Sequence, residues 1–256
     1  MKHYKGFLID LDGTMYKGTE KIEEAGEFVH ALRRKGLPYL FVTNNSSRTP
    51  EQVAEKLNAF DIPTAPEQVF TTSQATANYV YEKKQDASVF VIGEEGIRKA
   101  VMDKGFTLQE ENPDFVIVGI DREITYEKLA KACLGVRSGA EFISTNGDIA
   151  LPTERGLLPG NGAITSVIAV STKTSPVFIG KPESIIMEQA LKVLGTAKED
   201  TLMIGDNYDT DIMAGIKAGM DTLIVHTGVT AKEHLANYEV QPVYSVQSLS
   251  EVLEYI

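Results

Sequence analysis

Near its N-terminus the sequence reads GFLIDLDGT over residues 6–14, an apolar run that stops at two aspartates and a glycine. A short run such as Phe7–Ile9 is typical of a strand buried on both faces of a parallel sheet. In an extended chain, residues i and i+2 point to the same side, so Asp10 and Asp12 would face one cleft. Two carboxylates there need a cation or a proton between them. Gly13 lets the chain turn and bring backbone N–H groups toward an anion.

The same rhythm of short apolar runs and helical patterns continues along the chain. A helix is predicted over Glu51–Phe60, after Thr49 as N-cap and Pro50 at the first helical position, and another over Glu183–Leu194. The runs with the character of buried strands are Phe7–Ile9, Tyr39–Val42, Val89–Ile92, Phe115–Ile120, Val177–Ile179, Leu202–Ile204 and Leu223–Val225. Alternation of strand and helix predicts an α/β fold with a mostly parallel sheet.

Polar residues come just after four of these strands. Ligands of α/β sheets bind at the carboxyl ends of strands. The acidic residues are Asp10, Asp12, Asp206 and Asp211. Ligation by oxygen alone, with partial hydration, points to Mg²⁺. The donors are Thr43, Asn44, Asn45 and Lys181. Carboxylates, Mg²⁺ and donors together form the pattern that holds a phosphoryl group.

Each motif alone is commonplace, since Asp-Gly is an ordinary turn. Their order along the chain and their positions after strands make a chance occurrence of all four improbable. Asp10-Leu-Asp12-Gly13-Thr14, then Thr43, then Lys181, then Gly205-Asp206 with Asp211, resembles the four-motif signature of the haloacid dehalogenase superfamily. Thr-Asn-Asn-Ser after the second strand and Gly-Lys-Pro later resemble its NagD-like, or para-nitrophenyl phosphatase, branch. The resemblance covers essentially the whole chain.

Spacing between these motifs leaves room for an inserted domain. Thr43 lies only 33 positions after Asp10, whereas Lys181 lies 138 positions after Thr43, enough for a domain of roughly 100 residues. The resemblance implies a Rossmann-like core of residues 1–79 and 178–256, with an α/β cap at residues 80–177. In the cap, the turn-rich segment Thr145–Gly162 is predicted to be a long loop that either faces substrate or is merely solvated.

The resemblance also implies roles for single residues. Asp10 would be the nucleophile that forms an aspartyl-phosphate, and Asp12 the acid and base. The ligands of Mg²⁺ would be Asp10, Asp206 and the backbone carbonyl of Asp12. Asp211 would hold these ligands in place without binding the ion itself. The groups expected to hold the phosphate are Gly13, Thr43, Asn44, Asn45 and Lys181. The cap residues expected near the leaving group are Asn146, Asp148 and Arg155.

Composition limits the partners of the protein. The 256 residues hold 25 Lys and Arg against 36 Asp and Glu, a net charge of −11, which disfavours nucleic acid because phosphate backbones need a basic footprint. No apolar stretch is long enough for a membrane helix. The single cysteine, Cys133, and the absence of a signal-like N-terminus fit a cytoplasmic protein.

Two hypotheses of different classes follow from these patterns. The first is an Mg²⁺-dependent phosphatase for small phosphomonoesters: sugar phosphates, sugar-acid phosphates or nucleoside monophosphates. The second is a catalytically idle module on the same fold that binds a phospho-ligand or a cation. Asp12 favours the enzyme, because a binding module needs no acid or base at that position. The resemblance is also compatible with a homodimer through the cap.

Overall fold

A computed structural model of the chain describes residues 1–153 and 155–256. Its helices are α1 (Glu23–Arg34), α2 (Pro50–Ala59), α3 (Thr72–Lys83), α4 (Glu95–Asp103), α5 (Tyr126–Arg137), α6 (Asn161–Thr172), α7 (Ser184–Leu194) and α8 (Met213–Ala218). Its strands are β1 (Gly6–Ile9), β2 (Tyr16–Lys17), β3 (Glu20–Lys21), β4 (Tyr39–Thr43), β5 (Val69–Thr71), β6 (Ser88–Ile92), β7 (Thr107–Leu108), β8 (Phe115–Val118), β9 (Glu141–Ser144), β10 (Ala150–Thr153), β11 (Gly156–Pro159), β12 (Val177–Phe178), β13 (Thr201–Gly205), β14 (Asp221–Val225) and β15 (Tyr244–Val246).

The chain folds into two compact units. The first holds Met1–Thr43, Glu51–Phe70 and Lys181–Ile256, and the second holds Asn44–Pro50 and Thr71–Gly180. Helix α3 runs through the predicted boundary at residue 80, since it begins at Thr72. The division into a core and a cap with separate roles stays a prediction.

The first unit is built on a six-stranded sheet in the order β15-β14-β13-β1-β4-β5. Strand β1 pairs in parallel with both β13 and β4, so Ile9 lies between Ile204 and Phe41. The carboxyl ends of these three strands therefore meet at one edge, directly before Asp10 and Asp206. The predicted parallel α/β architecture is confirmed.

Helix α1 covers one face of this sheet with its apolar stripe. Ala25, Phe28, Val29 and Leu32 recur at helical spacing and are fully buried. The Phe7 and Phe28 rings meet edge to face, with centroids 6.4 Å apart. This packing holds α1 against β1, the strand that ends at Asp10.

The second unit has its own parallel sheet, in the order β12-β9-β8-β6-β7. Its core joins inward residues of β6, β8 and β9 to those of α5 and α6. Cys133 of α5 is one of these buried residues, which agrees with its apolar setting in the sequence.

The segment predicted as one long loop, Thr145–Gly162, is more ordered than expected. It contains the antiparallel pair β10 and β11, in which Leu151 lies opposite Leu158 and Thr153 opposite Gly156. Its last residues already belong to α6, which begins at Asn161. The many Gly and Pro residues in this segment concealed a hairpin, because turn residues punctuate short strands as well as loops.

Asp114 secures the start of β8 against β6. Its carboxylate accepts hydrogen bonds from the Ser88 N–H (2.8 Å) and hydroxyl (2.9 Å), and it pairs with Lys84. The Lys84 ammonium and the Ser88 N–H lower the pKa of Asp114 from 3.8 to about 2.

We expect Asp114→Asn to lower the free energy of unfolding by about 1 kcal/mol at neutral pH, since charged hydrogen bonds are lost at a partly exposed site. Because the folded pKa is depressed, the wild-type advantage is present above pH 4 and fades as pH falls toward 2. Urea unfolding of both proteins between pH 7 and pH 2.5 measures this. An advantage that persists undiminished at the lowest pH would contradict the assignment.

Candidate active site

Three aspartates converge at the carboxyl edge of the first unit's sheet. Asp10 follows β1, while Asp206 and Asp211 follow β13, and all three are buried. One carboxylate oxygen from each lies within 4.8 Å of the other two. Asp211 is held there because its Oδ2 accepts the Asn207 N–H at 3.1 Å. Asp12, by contrast, is exposed, so its carboxylate is open to solvent.

Lys181 places a buried ammonium within this cluster. It forms an ion pair with Asp10 and a second one with Asp211, where Nζ lies 2.7 Å from Oδ1. Its Nζ also donates to the Val42 carbonyl at 3.1 Å, at the end of β4. Lys181 thereby ties together three parts of the chain that are far apart in sequence.

Burial and mutual repulsion shift the pKa values of these groups. Burial, followed by the charge of Asp211, raises the pKa of Asp206 to about 6. The same two causes raise the pKa of Asp10, against the opposing charge of Lys181. Burial alone would lower the pKa of Lys181, but Asp10 and Asp211 outweigh it and raise the pKa. The cluster holds more negative charge than one ammonium can balance.

The turn after β1 is shaped to approach this cluster. Gly13 has φ +91°, and a Cβ on it would lie 2.3 Å from Asp206 Oδ2. Only glycine fits there, both for its backbone angle and for its contact. The Thr14 hydroxyl lies 3.4 Å from Asp10 Oδ2 and 3.3 Å from Asp206 Oδ1, between the two carboxylates.

Thr43 ends β4 and is buried, one residue beyond the carbonyl that Lys181 contacts. Since β4 pairs with β1, Thr43 lies at the same sheet edge as Asp10. The structure therefore brings Asp10, Gly13, Thr43, Lys181, Asp206 and Asp211 to one edge of the first unit.

In the second unit, the other predicted residues form a separate set of contacts. Asn44 Nδ2 donates to Asp148 Oδ1 at 3.2 Å, and Asn146 Nδ2 donates to the Asn44 carbonyl at 2.8 Å. Asn45 instead caps a turn, as its Oδ1 accepts the Ser47 and Arg48 N–H groups. Arg155 is exposed in the β10–β11 turn.

Comparison with known proteins decides the family. A model described as haloacid dehalogenase-like hydrolase matches residues 7–107, and a second, described as HAD-hydrolase-like, matches residues 178–252. The 5′-nucleotidase YutF of Bacillus subtilis is 68% identical over 256 residues, all of both chains. The chain belongs to the haloacid dehalogenase-like hydrolases. The predicted superfamily is confirmed.

Further relatives agree with this membership. The acid sugar phosphatase of Staphylococcus aureus is 54% identical to this hydrolase over 254 residues, 99% of this chain and 98% of the relative. The structure of NagD from E. coli K-12 superposes with a TM-score of 0.92 at 31% identity, covering 98% of each chain. The predicted NagD-like branch and the predicted enzyme class, a phosphoric monoester hydrolase, are confirmed.

The donor set of the hydrolase fits a small divalent cation. The three buried carboxylates place their oxygens close to one another. Carboxylate oxygens are hard ligands, which Mg²⁺ prefers over nitrogen or sulfur. Their charge exceeds that of Lys181, so a divalent cation would relieve the repulsion that raises the pKa values of Asp10 and Asp206.

Sequence reasoning overlooked two parts of this site. The sequence motif predicts no role for Thr14, although its hydroxyl lies between two of the aspartates. The loop that follows β14 was also overlooked, although the Val229 N–H donates to Asp206 Oδ2 at 2.7 Å. Its position after a predicted strand was a usable signal.

Across the described ranges, no helix is both long enough and apolar enough to span a membrane.

Proposed function

We propose that this hydrolase is an Mg²⁺-dependent phosphatase that cleaves small phosphomonoesters through an aspartyl-phosphate on Asp10. The observation that carries the proposal is the cluster of Asp10, Asp206 and Asp211 around the Lys181 ammonium. Such a cluster joins a carboxylate nucleophile to positive charge, which phosphoryl transfer requires.

Asp10 and Asp12 would divide the chemistry between them. A carboxylate oxygen of Asp10 attacks phosphorus while the bond from phosphorus to the ester oxygen breaks, and Asp12 gives its proton to the departing alcohol. Water then attacks the phosphorus of the aspartyl-phosphate, Asp12 takes the proton of that water, and phosphate leaves with Asp10 restored. Exposure of Asp12 suits this role, because its carboxyl group must reach both the leaving group and water.

The remaining groups would hold charge and orient the phosphate. Mg²⁺ would be held by Asp10, Asp206 and the Asp12 carbonyl, and Asp211 would keep these ligands in place. When bound, the ion would supply positive charge that offsets the developing charge on phosphate oxygens. Lys181 and Thr43, with the backbone at Gly13, would bind the transferring oxygens. Lys181 also reduces repulsion between Asp10 and a dianionic substrate.

We further propose that residues 80–177 act as a cap that selects the alcohol part of the substrate. The contacts among Asn44, Asn146 and Asp148 support a role for the residues around Asp148, and Arg155, which is exposed, is part of the same proposal. The names of the relatives make nucleoside monophosphates and acid sugar phosphates the first substrates to test.

A phosphate-release assay tests the proposal. The panel holds para-nitrophenyl phosphate, nucleoside 5′-monophosphates, acid sugar phosphates and neutral sugar phosphates, each with Mg²⁺. We expect turnover of para-nitrophenyl phosphate and of at least one natural class. No phosphate release from any member would contradict the proposed substrate class.

Removal of divalent ions gives a second expected result. Chelation should abolish turnover, since three buried carboxylates would then repel the incoming phosphate, and added Mg²⁺ should restore it. The same protein passed through the treatment without chelator is the control. Full activity in the chelated enzyme would contradict the dependence on metal.

A further inference from the structure

The loop that follows β14, Thr227–Thr230, contacts both segments that carry the acidic cluster. Thr227 Oγ1 donates to the Gly13 carbonyl at 2.6 Å. The Val229 N–H donates to Asp206 Oδ2 at 2.7 Å, and the Thr230 N–H donates to the Asp206 carbonyl at 3.1 Å. One four-residue loop thus holds the turn after β1 and the aspartate after β13.

Gly228 brings the backbone of this loop against the Asp206 carboxylate. A Cβ at Gly228 would lie 1.9 Å from Asp206 Oδ2, far inside van der Waals contact. Gly13 approaches the same carboxylate from the turn after β1, where a Cβ would lie 2.3 Å from Oδ2. Asp206 therefore lies between two backbone segments that approach it closely, and a side chain at either glycine would displace its carboxylate.

The loop itself is anchored from outside the site. His226 Nδ1 lies 2.8 Å from the Thr230 carbonyl, and its Nε2 lies 2.8 Å from Ser245 Oγ on β15. The Thr230 hydroxyl accepts the Tyr208 N–H at 2.9 Å. Because Thr230 and the residue that precedes the loop, His226, are held by these hydrogen bonds, the contacts of the loop can impose a geometry on Asp206.

We propose that Thr227–Thr230 is a positioning element of the active site, which fixes the Asp206 carboxylate and the Asp12–Gly13 turn for divalent-cation binding. The inference rests on the proposed function in one respect, the use of a divalent cation. Thr227 holds the turn by its hydrogen bond to the Gly13 carbonyl. Gly228 lets the backbone of the loop approach the Asp206 carboxylate, because it has no side chain. Neither residue touches the reacting groups in this account.

Binding of Mn²⁺, measured by electron paramagnetic resonance without substrate, tests the proposal independently of turnover. We expect Gly228→Ala to weaken Mn²⁺ affinity by about tenfold or more, as for other groups that orient metal ligands. Thr227→Val, which keeps the shape but removes the hydroxyl, should weaken it by a smaller factor. Thr227→Ser, which restores the hydroxyl, should return the affinity to that of the wild type.

The outcomes separate this inference from the proposed function. Wild-type Mn²⁺ affinity in Gly228→Ala would overturn the inference alone. Should Gly228→Ala fail to fold, equal affinities of Thr227→Val and Thr227→Ser would overturn it instead. If the wild-type protein binds neither Mn²⁺ nor Mg²⁺, the metal dependence in the proposed function fails together with the inference.

Discussion

Asp10→Asn should lower turnover of para-nitrophenyl phosphate by about four orders of magnitude or more, because the amide cannot attack phosphorus. The side chain keeps its shape, so substrate and cation can still approach. One of three buried, mutually repelling carboxylates loses its charge, while Lys181 keeps its ion pair with Asp211. We therefore expect the melting temperature without metal to stay close to that of the wild type.

Asp209→Asn is the matched control for this loss. Asp209 lies between Asp206 and Asp211 in sequence but is exposed, so the same change of charge should leave turnover intact. Comparable turnover in Asp10→Asn and in the wild type would remove Asp10 from the role of nucleophile.

Lys181→Met should reduce both activity and stability. Removing the only ammonium that contacts Asp10 and Asp211 among the described ion pairs leaves buried carboxylates unpaired, which costs about 3–5 kcal/mol. Loss of a charge that faces the phosphate should lower kcat/KM by about 100-fold or more. Because bound Mg²⁺ would replace part of the missing charge, we expect added Mg²⁺ to raise the melting temperature more in the variant than in the wild type.

Lys217→Met provides the comparison. Lys217 also forms an ion pair, at 3.0 Å with Glu183, but both side chains are more than one third exposed. Such a surface pair contributes under about 1 kcal/mol, and turnover should not change. Equal stability of the two variants in thermal unfolding would contradict the buried role of Lys181.

The sequence predicted this fold and site well where chemistry and strand ends coincide. Asp10 and Asp206 follow β1 and β13 directly, and the parallel register of these strands brings the two aspartates to one edge. Lys181 instead comes after β12, which pairs with β9 in the sheet of the second unit, so its strand context did not predict its place in the cluster. Strand order could not be derived from these runs, but all parallel strands end on the same side. The shared edge of Asp10 and Asp206 could therefore be predicted from the sequence, whereas their closeness also required β1 and β13 to be neighbours.

Other features depended on contacts that composition does not encode. Thr227 and Gly228 carry no charge, and only the fold brings them to Gly13 and Asp206. The sequence predicts Asn45 as a hydrogen-bond donor to phosphate. In the structure its side chain instead accepts hydrogen bonds from the backbone of its own turn, as Asn side chains often do. A role in phosphate binding for Asn45 stays a prediction.

The central claim is that the phosphoryl group passes through Asp10. Acid quenching during turnover of para-nitrophenyl phosphate, followed by mass spectrometry of the peptide that contains residues 6–14, tests it most directly. We predict that this peptide gains the mass of one phosphoryl group at Asp10, and that Asp10→Asn shows no gain. A phosphoryl group found on a different residue in the quenched wild-type enzyme would contradict the account.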